Sequence, residues 1–409
     1  MNGANAAFPR RDSIGAVSRL DRILSLDDFE HAARRHLPRP VFAYVSGGVE
    51  DNAALRDNRA AFDELGFIPR VLVDVSGRST ATTLFGTEYA APFGIAPMGI
   101  SALSAYRGDL VLAQGAAKCN IPMIMSGTSL IRLEEVCTAC PASWFQAYLP
   151  GDKGRLIALI DRVAAAGFKT LVLTVDVAIL SNRENNVRAG FSTPLRPSLR
   201  LAWDGLVRPR WLFGTFFPTL LRHGIPHFEN SFAERGAPII ARNVDRDFSK
   251  RDHLNWEHLA LIRQRWKGRL LVKGVMSVED ARLSKVHGAD GIIVSNHGGR
   301  QLDHTVSPLR VLPAIVDVAG GMPVLLDSGV RRGTDVLKAL ALGASFVFVG
   351  RPFNYAASIA GEEGVRHAYE ILQGEVQRGM GQLGVNRVSE VGAGHLMRIG
   401  GVRAPGMPV

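Results

Sequence analysis

From residue 93 onward the chain repeats one unit, a short apolar run rich in β-branched residues followed by a segment of helical period. Eight such runs can be counted: FGIAPM (93–98), PMIMS (122–126), SWFQAY (143–148), TLVLTVD (170–176), LLVKG (270–274), GIIVSN (291–296), VLLDSG (324–329) and FVFVG (346–350). A nearly continuous apolar run has no polar face to turn to water, so it is expected in a sheet covered on both sides, and parallel strands joined by helices meet that condition. Eight units predict an α/β fold, a closed (β/α)8 TIM barrel. An open doubly wound sheet is the competing arrangement. It would normally carry G-x-G-x-x-G or G-x-x-x-x-G-K-[ST] at its first turn, and neither occurs.

One spacing breaks the rhythm. The fourth run ends at Asp176 and the fifth starts near Leu270, so a long insertion after strand 4 is expected. The expected organisation is a flexible tail over 1–24, a barrel domain over 25–391 containing a basic, aromatic insertion over 187–250, and a C-terminal tail over 392–409. Ser25 and Asp28 have capping-box spacing and predict a helix opening into DFEHAARRHL.

Composition narrows the partners. The chain has 409 residues, 46% of them hydrophobic, and a formal charge of +10, with arginine supplying 40 of its 48 basic residues. No window approaches the roughly 18 apolar residues of a membrane span. The excess charge is compatible with nucleic acid, an anionic membrane face or anionic substrates, but no nucleic-acid motif accompanies it. Three cysteines are too few and odd in number for a disulfide framework, which favours a reducing, cytoplasmic setting. Cys137 and Cys140 form a C-x-x-C that lacks the strand and helix start of a redox motif.

The charge is concentrated. Residues 187–222 hold six arginines (Arg188, Arg196, Arg200, Arg208, Arg210, Arg222) against Asp204, interleaved with Phe191, Trp203, Trp211, Phe213, Phe216 and Phe217. Cations among large aromatic rings suit a membrane interface; a lid or oligomer contact is the alternative.

Chemistry is expected at the C-terminal ends of barrel strands. Strand six runs into SNHGGRQLD, placing His297 as a general base and Arg300 beside it. Asp176, ending strand four, is the expected carboxylate partner of His297, and Arg183 with Arg300 offers two guanidinium forks for a carboxylate. Small glycine turns with arginine after strands seven and eight (Gly329, Arg331, Gly350, Arg351) predict a phosphate site. Lys273, ending strand five, is placed to stabilise negative charge on a ring cofactor. No metal site is expected.

The combination of LVKG, SNHGGRQLD, LDSGVRRGTDVLKALALGA and GRP resembles the FMN-dependent L-2-hydroxy-acid dehydrogenase and oxidase family, over about Leu26 to Val391. The resemblance implies FMN as cofactor and oxidation of a lactate- or mandelate-like L-2-hydroxy acid to the 2-oxo acid. Mapped residue by residue, it makes His297 the base with Asp176 as partner, Arg183 and Arg300 the carboxylate-binding pair, and Tyr44 and Tyr148 the active-site tyrosines. Lys273 maps to the flavin N1/O2 position; Pro97, Met98, Gly99, Ser126, Gln146, Thr174 and Ser295 map around the ring and ribityl chain; Asp327, Gly329, Arg331, Gly350 and Arg351 map to the ribityl and phosphate end.

The departures bear on substrate and acceptor. TVDVAILSNR replaces the family's usual TVD-x-P-x-x-G-x-R, and Thr128 stands where glycolate oxidases carry a bulky aromatic, which implies room for a larger substrate. Met98 replaces a smaller residue. Gly99 stands where family oxidases tend to carry Ala, which favours a non-oxygen acceptor over an oxidase that makes hydrogen peroxide. The stretch RPRWLFGTFFPTLLRHGIPHFEN resembles a membrane-binding insertion within the family. That implies a peripheral enzyme on the inner face of the cell membrane delivering electrons to quinone, and the family resemblance implies a homotetramer.

Overall fold

The computed structural model describes residues 20–192, 195–241 and 252–399. All eight expected strands are present: β1 (Phe93–Ile95), β2 (Ile124–Ser126), β3 (Trp144–Tyr148), β4 (Thr170–Thr174), β5 (Arg269–Val275), β6 (Gly291–Val294), β7 (Val324–Leu326) and β8 (Phe346–Val349). They form one parallel eight-stranded sheet in the order β1–β8–β7–β6–β5–β4–β3–β2. The ring closes between β1 and β2 through one bridge, Ile95 to Met123, with Ile95 N–H donating to Pro122 O at 2.9 Å. Most of the sequence runs extend past the observed strand ends, because their last residues leave the ladder to form the loops of the catalytic rim.

Side chains alternate across each strand, and both faces are apolar for different reasons. Ile124, Trp144, Val172, Leu271, Ile293, Leu325, Phe346 and Phe348 fill the barrel interior, while Leu171, Leu173, Leu270, Val272, Ile292 and Val294 pack outward against the helices. The interior is plugged from below by a hairpin, Thr82–Leu84 with Thr87–Tyr89, which contributes Leu84 and Tyr89 to the same cluster.

Ser25 caps the helix Leu26–His36 with a reciprocal Ser25–Asp28 box, as the spacing predicts. That helix lies against the C-terminal one, whose Arg351–Leu383 span bends at Ala360–Gly361, where Gly361 adopts a φ of +59°. The boundaries drawn from sequence need revision at both ends. Ile23 is already buried. Leu396–Arg398, assigned to a tail, form a strand antiparallel to Leu65–Phe67, a pairing between remote segments too short to show a period. The remainder of both expected tails, and residues 193–194 and 242–250 of the insertion, lie outside the described residues.

The described part of the insertion opens with helices, Glu184–Ala189, Leu199–Leu206 and a run from Pro209 to His223 that contains a π-helical turn at Leu212–Phe216. Trp211 anchors this run to the barrel by donating its indole N–H to Leu103 O at 2.7 Å. The aromatics expected to act together are in fact divided. Phe191 and Trp211 are buried, whereas Trp203 is 65% and Phe213 68% exposed, alongside exposed Leu199, Leu206 and Leu221. Among the described residues no helix is long and apolar enough to cross a membrane.

Candidate active site

The inward rows of the barrel end in polar residues. Two positions beyond the last apolar interior side chain stand Ser126 on β2, Gln146 on β3, Thr174 on β4, Lys273 on β5, Ser295 after β6 and Asp327 after β7. A rule of two residues per turn of the pleat therefore carries each of them to the same end of the barrel. Above them opens a cavity of about 570 Å³ lined by Tyr44, Pro97, Met98, Gly99, Tyr148, Thr174, Arg183, Lys273, His297, Arg300, Asp327, Gly329, Arg331, Gly350 and Arg351. Asp176, Ser126, Gln146 and Ser295 stand behind this lining.

His297 takes a left-handed backbone conformation, φ +57°, its amide donating to Ser295 Oγ at 3.1 Å. This turns the ring toward Asp176, whose Oδ1 lies 2.8 Å from Nδ1. A neutral imidazole bonded there carries its proton on Nδ1 and leaves the Nε2 lone pair facing Tyr148 Oη, 3.5 Å away. Gly274 makes the approach possible: at φ +108°, any Cβ would come within 2.7 Å of Asp176 Cβ.

Electrostatics prepare the pair. Burial pushes the His297 pKa below its ordinary value, and Lys273 and Arg183 push the same way, against the pull of Asp176. Burial alone would raise Asp176, but His297 and Lys273 outweigh it and hold the carboxylate below the usual range. Lys273 is buried and bonded to Ser295 Oγ at 2.8 Å and Asp327 Oδ2 at 3.1 Å; despite the burial penalty, Asp327 and Asp176 raise its pKa and keep it cationic. Burial, reinforced by Asp176 and Tyr44, raises Tyr148 to about 12, so its phenol remains a donor.

The two guanidiniums reach the cavity without a carboxylate partner among the described residues. Arg183 donates Nε to Ser181 Oγ at 3.0 Å and to Arg300 O at 3.2 Å, and Nη2 to Gln301 Oε1 at 2.5 Å. Arg300 donates to Gly47 O at 2.7 Å and lies 5.2 Å above the Tyr44 ring. Burial, with Arg183 and Arg351 nearby, lowers Arg300 to about 9, still cationic at neutral pH. Two adjacent, half-buried cations with no carboxylate beside them form a site for a carboxylate.

At the β7 and β8 ends, Gly329 (φ +87°), Arg331 and Gly350 border the cavity, and a Cβ on Gly329 would meet Asn58 O at 2.2 Å. Arg351 borders the same cavity. Its guanidinium donates to the backbone oxygens of Val45, Gly47 and Gly298, each at 3.0 Å, tying the Tyr44 segment to the β6 loop.

Several wall residues escaped the sequence reading. Leu180, Val187, Phe191 and Phe228 supply an apolar wall, with the Phe191 ring tilted at 35° to that of Tyr44 and 4.7 Å from it, centroid to centroid. Gln301 accepts from Arg183 and donates to Asp176 O at 3.1 Å. It lies inside the SNHGGRQLD motif and could have been singled out there; Phe228 had no such signal.

The sequence profile described as FMN-dependent dehydrogenase matches residues 33–398. The (S)-mandelate dehydrogenase of Pseudomonas putida is 37% identical over 92% of this chain and 95% of its own length. The L-lactate dehydrogenase of Pectobacterium atrosepticum is 36% identical over 93% and 98%. Among solved structures, a monotopic membrane protein, (S)-mandelate dehydrogenase, superposes with a TM-score of 0.85 at 34% identity, covering 92% of this chain and all of that one. A mandelate oxidase superposes at 0.75 with 35% identity, covering 91% and 98%. With its barrel, its strand-end residues and these likenesses together, the chain belongs to the FMN-dependent dehydrogenase family.

Proposed function

We propose that this protein oxidises an L-2-hydroxy acid to the 2-oxo acid with FMN as cofactor, that it passes the electrons to quinone or another non-oxygen acceptor, and that its insertion seats it on an anionic membrane. The observation that carries the catalytic reading is the meeting, in one cavity, of the His297–Asp176 pair with two carboxylate-free guanidiniums.

The residues fit the cofactor. Gln146 Nε2 and Thr174 Oγ1 are buried without a hydrogen-bond partner, a costly arrangement that the heteroatoms of a flavin ring would relieve. Lys273 would hold the N1/O2 edge, with Ser126 and Ser295 nearby. Pro97, Met98 and Gly99 would face the ring, and Asp327, Gly329, Arg331, Gly350 and Arg351 the ribityl phosphate. When bound, FMN supplies the two-electron acceptor.

The remaining work falls to side chains. Arg183 and Arg300 grip the substrate carboxylate, each charge-assisted contact contributing ~1.5–3 kcal/mol. Tyr44 and Tyr148 orient the carboxylate and hydroxyl. The His297 Nε2 lone pair receives a proton from the substrate, and Asp176 stabilises the imidazolium so formed. The apolar wall of Leu180, Val187, Phe191 and Phe228, with the small Thr128 opposite, supports a substrate with a larger side chain than glycolate.

Gly99 supports the acceptor assignment. A Cβ there would lie 2.3 Å from Thr128 Oγ1 and 3.0 Å from Tyr44 Oη, so this chain is built around the glycine. The exposed Trp203, Phe213 and Leu221 beside Arg196, Arg200 and Arg210 support the membrane reading. The decisive test is anaerobic single-turnover flavin reduction by L-mandelate and L-lactate. Near wild-type speed in His297→Asn would refute the base assignment, and fast stoichiometric peroxide in air would refute the acceptor assignment.

A further inference from the structure

A second cavity, of about 510 Å³, lies away from the active site between the helix Leu26–His36 and the Val207–Arg210 segment of the insertion. Four arginines line it, Arg22, Arg35, Arg208 and Arg210, together with His31. His31 and Arg35 sit four residues apart, on one face of the helix. Asp28 is the one carboxylate among the lining residues, and its Oδ2 already accepts from the Leu24 and Ser25 amides, each at 2.9 Å, and from Ser25 Oγ. Arg208 is held in place by donating Nε to Leu37 O at 3.2 Å. Among the described residues, Arg22, Arg35 and Arg210 form no ion pair. Like charges gathered round one concavity repel one another and focus a positive potential into it.

We propose that this cavity binds a phosphate-bearing anion. Guanidinium forks match the tetrahedral array of phosphate oxygens, and arginine is the favoured residue for such recognition. Two sources supply this chemistry, free phosphate and a phospholipid headgroup. The Val207–Arg210 segment joins the two stretches that carry exposed Trp203 and Leu206 on one side and Phe213 and Leu221 on the other. A headgroup in the cavity would therefore send its acyl chains along an apolar surface. The anion site stands on its own geometry; its headgroup source rests on the membrane reading above.

The test uses the full-length, FMN-loaded enzyme. Calorimetric titration at constant ionic strength, with inorganic phosphate and with glycerophosphorylglycerol, is expected to show saturable binding of at least one probe. Arg35→Gln/Arg210→Gln should weaken it at least about tenfold (~1.4 kcal/mol). Arg196→Gln/Arg200→Gln removes the same charge from exposed positions outside the cavity and should leave it unchanged. Flotation with vesicles of phosphatidylcholine alone, or mixed equally with phosphatidylglycerol, separates the sources. A loss of partitioning confined to the cavity pair supports the headgroup; equal losses in both pairs, with the calorimetric difference kept, support free phosphate. Absence of saturable binding, or equal weakening of it in both pairs, overturns the site. If the wild-type enzyme binds the probes but ignores vesicles, the membrane reading alone falls.

Discussion

Replacing Asp176 with Asn tests the core of the proposed chemistry while preserving side-chain shape. The carboxamide oxygen can still accept the Nδ1–H bond now made at 2.8 Å, so the imidazole keeps its orientation and loses only its charged partner. In the resting enzyme that loss is small because His297 is neutral. During turnover it is large: two unit charges about 4 Å apart attract by roughly 4 kcal/mol at an effective dielectric near 20, while Lys273 and Arg183 continue to oppose the new imidazolium. If about 3 kcal/mol of this reaches the transition state, flavin reduction slows about a hundredfold. KM should change little, because Arg183 and Arg300 are untouched. The pH profile supplies a second readout. The His297 pKa is already below its ordinary value, so wild-type kcat/KM should hold up below pH ~6.5 before falling. Asp176 raises that pKa, so in Asp176→Asn the acid limb should move to lower pH still. Anaerobic stopped-flow reduction across pH measures both. A loss under about fivefold, or a limb displaced upward, would refute the assignment of Asp176 as the charge partner.

Other consequences can be measured directly. Arg183→Met removes one charge-assisted fork and should lower kcat/KM for the hydroxy acid by about ten- to a hundredfold, mostly through KM; an unchanged value would show that Arg300 suffices. Gly99→Ala forces its new methyl against Thr128 Oγ1 and should cost ~1–3 kcal/mol of stability, seen as a Tm lower by several degrees. Thr128→Ala in the same chain should recover most of it, whereas failure of the pair to recover would mean that Tyr44 sets the limit. Trp203→Ser/Phe213→Ser/Leu221→Ser removes exposed apolar side chains each worth up to ~1.5–3 kcal/mol on full burial. It should reduce partitioning into anionic vesicles by about a hundredfold or more while dye-linked turnover in solution stays constant; partitioning retained at the wild-type level would place the membrane contact elsewhere.

Much of the site was legible because barrel geometry converts sequence position into depth. Once Val172, Leu271, Ile293 and Leu325 are recognised as interior, the pleat alone places Thr174, Lys273, Ser295 and Asp327 at the reactive end. His297 was readable for a related reason, since the glycines after it mark a chain leaving its strand. What escaped depends on tertiary context. Nothing local distinguishes Phe191, buried against Tyr44, from Phe213, which faces solvent. The bonds from Arg351 to the carbonyls of Val45, Gly47 and Gly298 likewise join two remote segments that no local pattern links. The plugging hairpin and the Leu396–Arg398 strand are three-residue elements, too short to have a period.

The exposed helices of the insertion are bracketed by Phe191 and Phe228, which are buried and form part of the wall around the substrate cavity. The segment thus resembles a cassette whose two roots belong to the catalytic chamber and whose span, pinned to the barrel at Trp211, turns its other aromatics to the surroundings. On the proposed membrane reading, exchange of the span between those roots is expected to change which lipid surface the enzyme meets, or whether it meets one, without rewriting its substrate choice. Changes at the roots do the reverse, altering which acid fits while leaving the address intact. On that reading, selection can act on where the reaction happens and on what is oxidised as separate traits, although both are written in one loop.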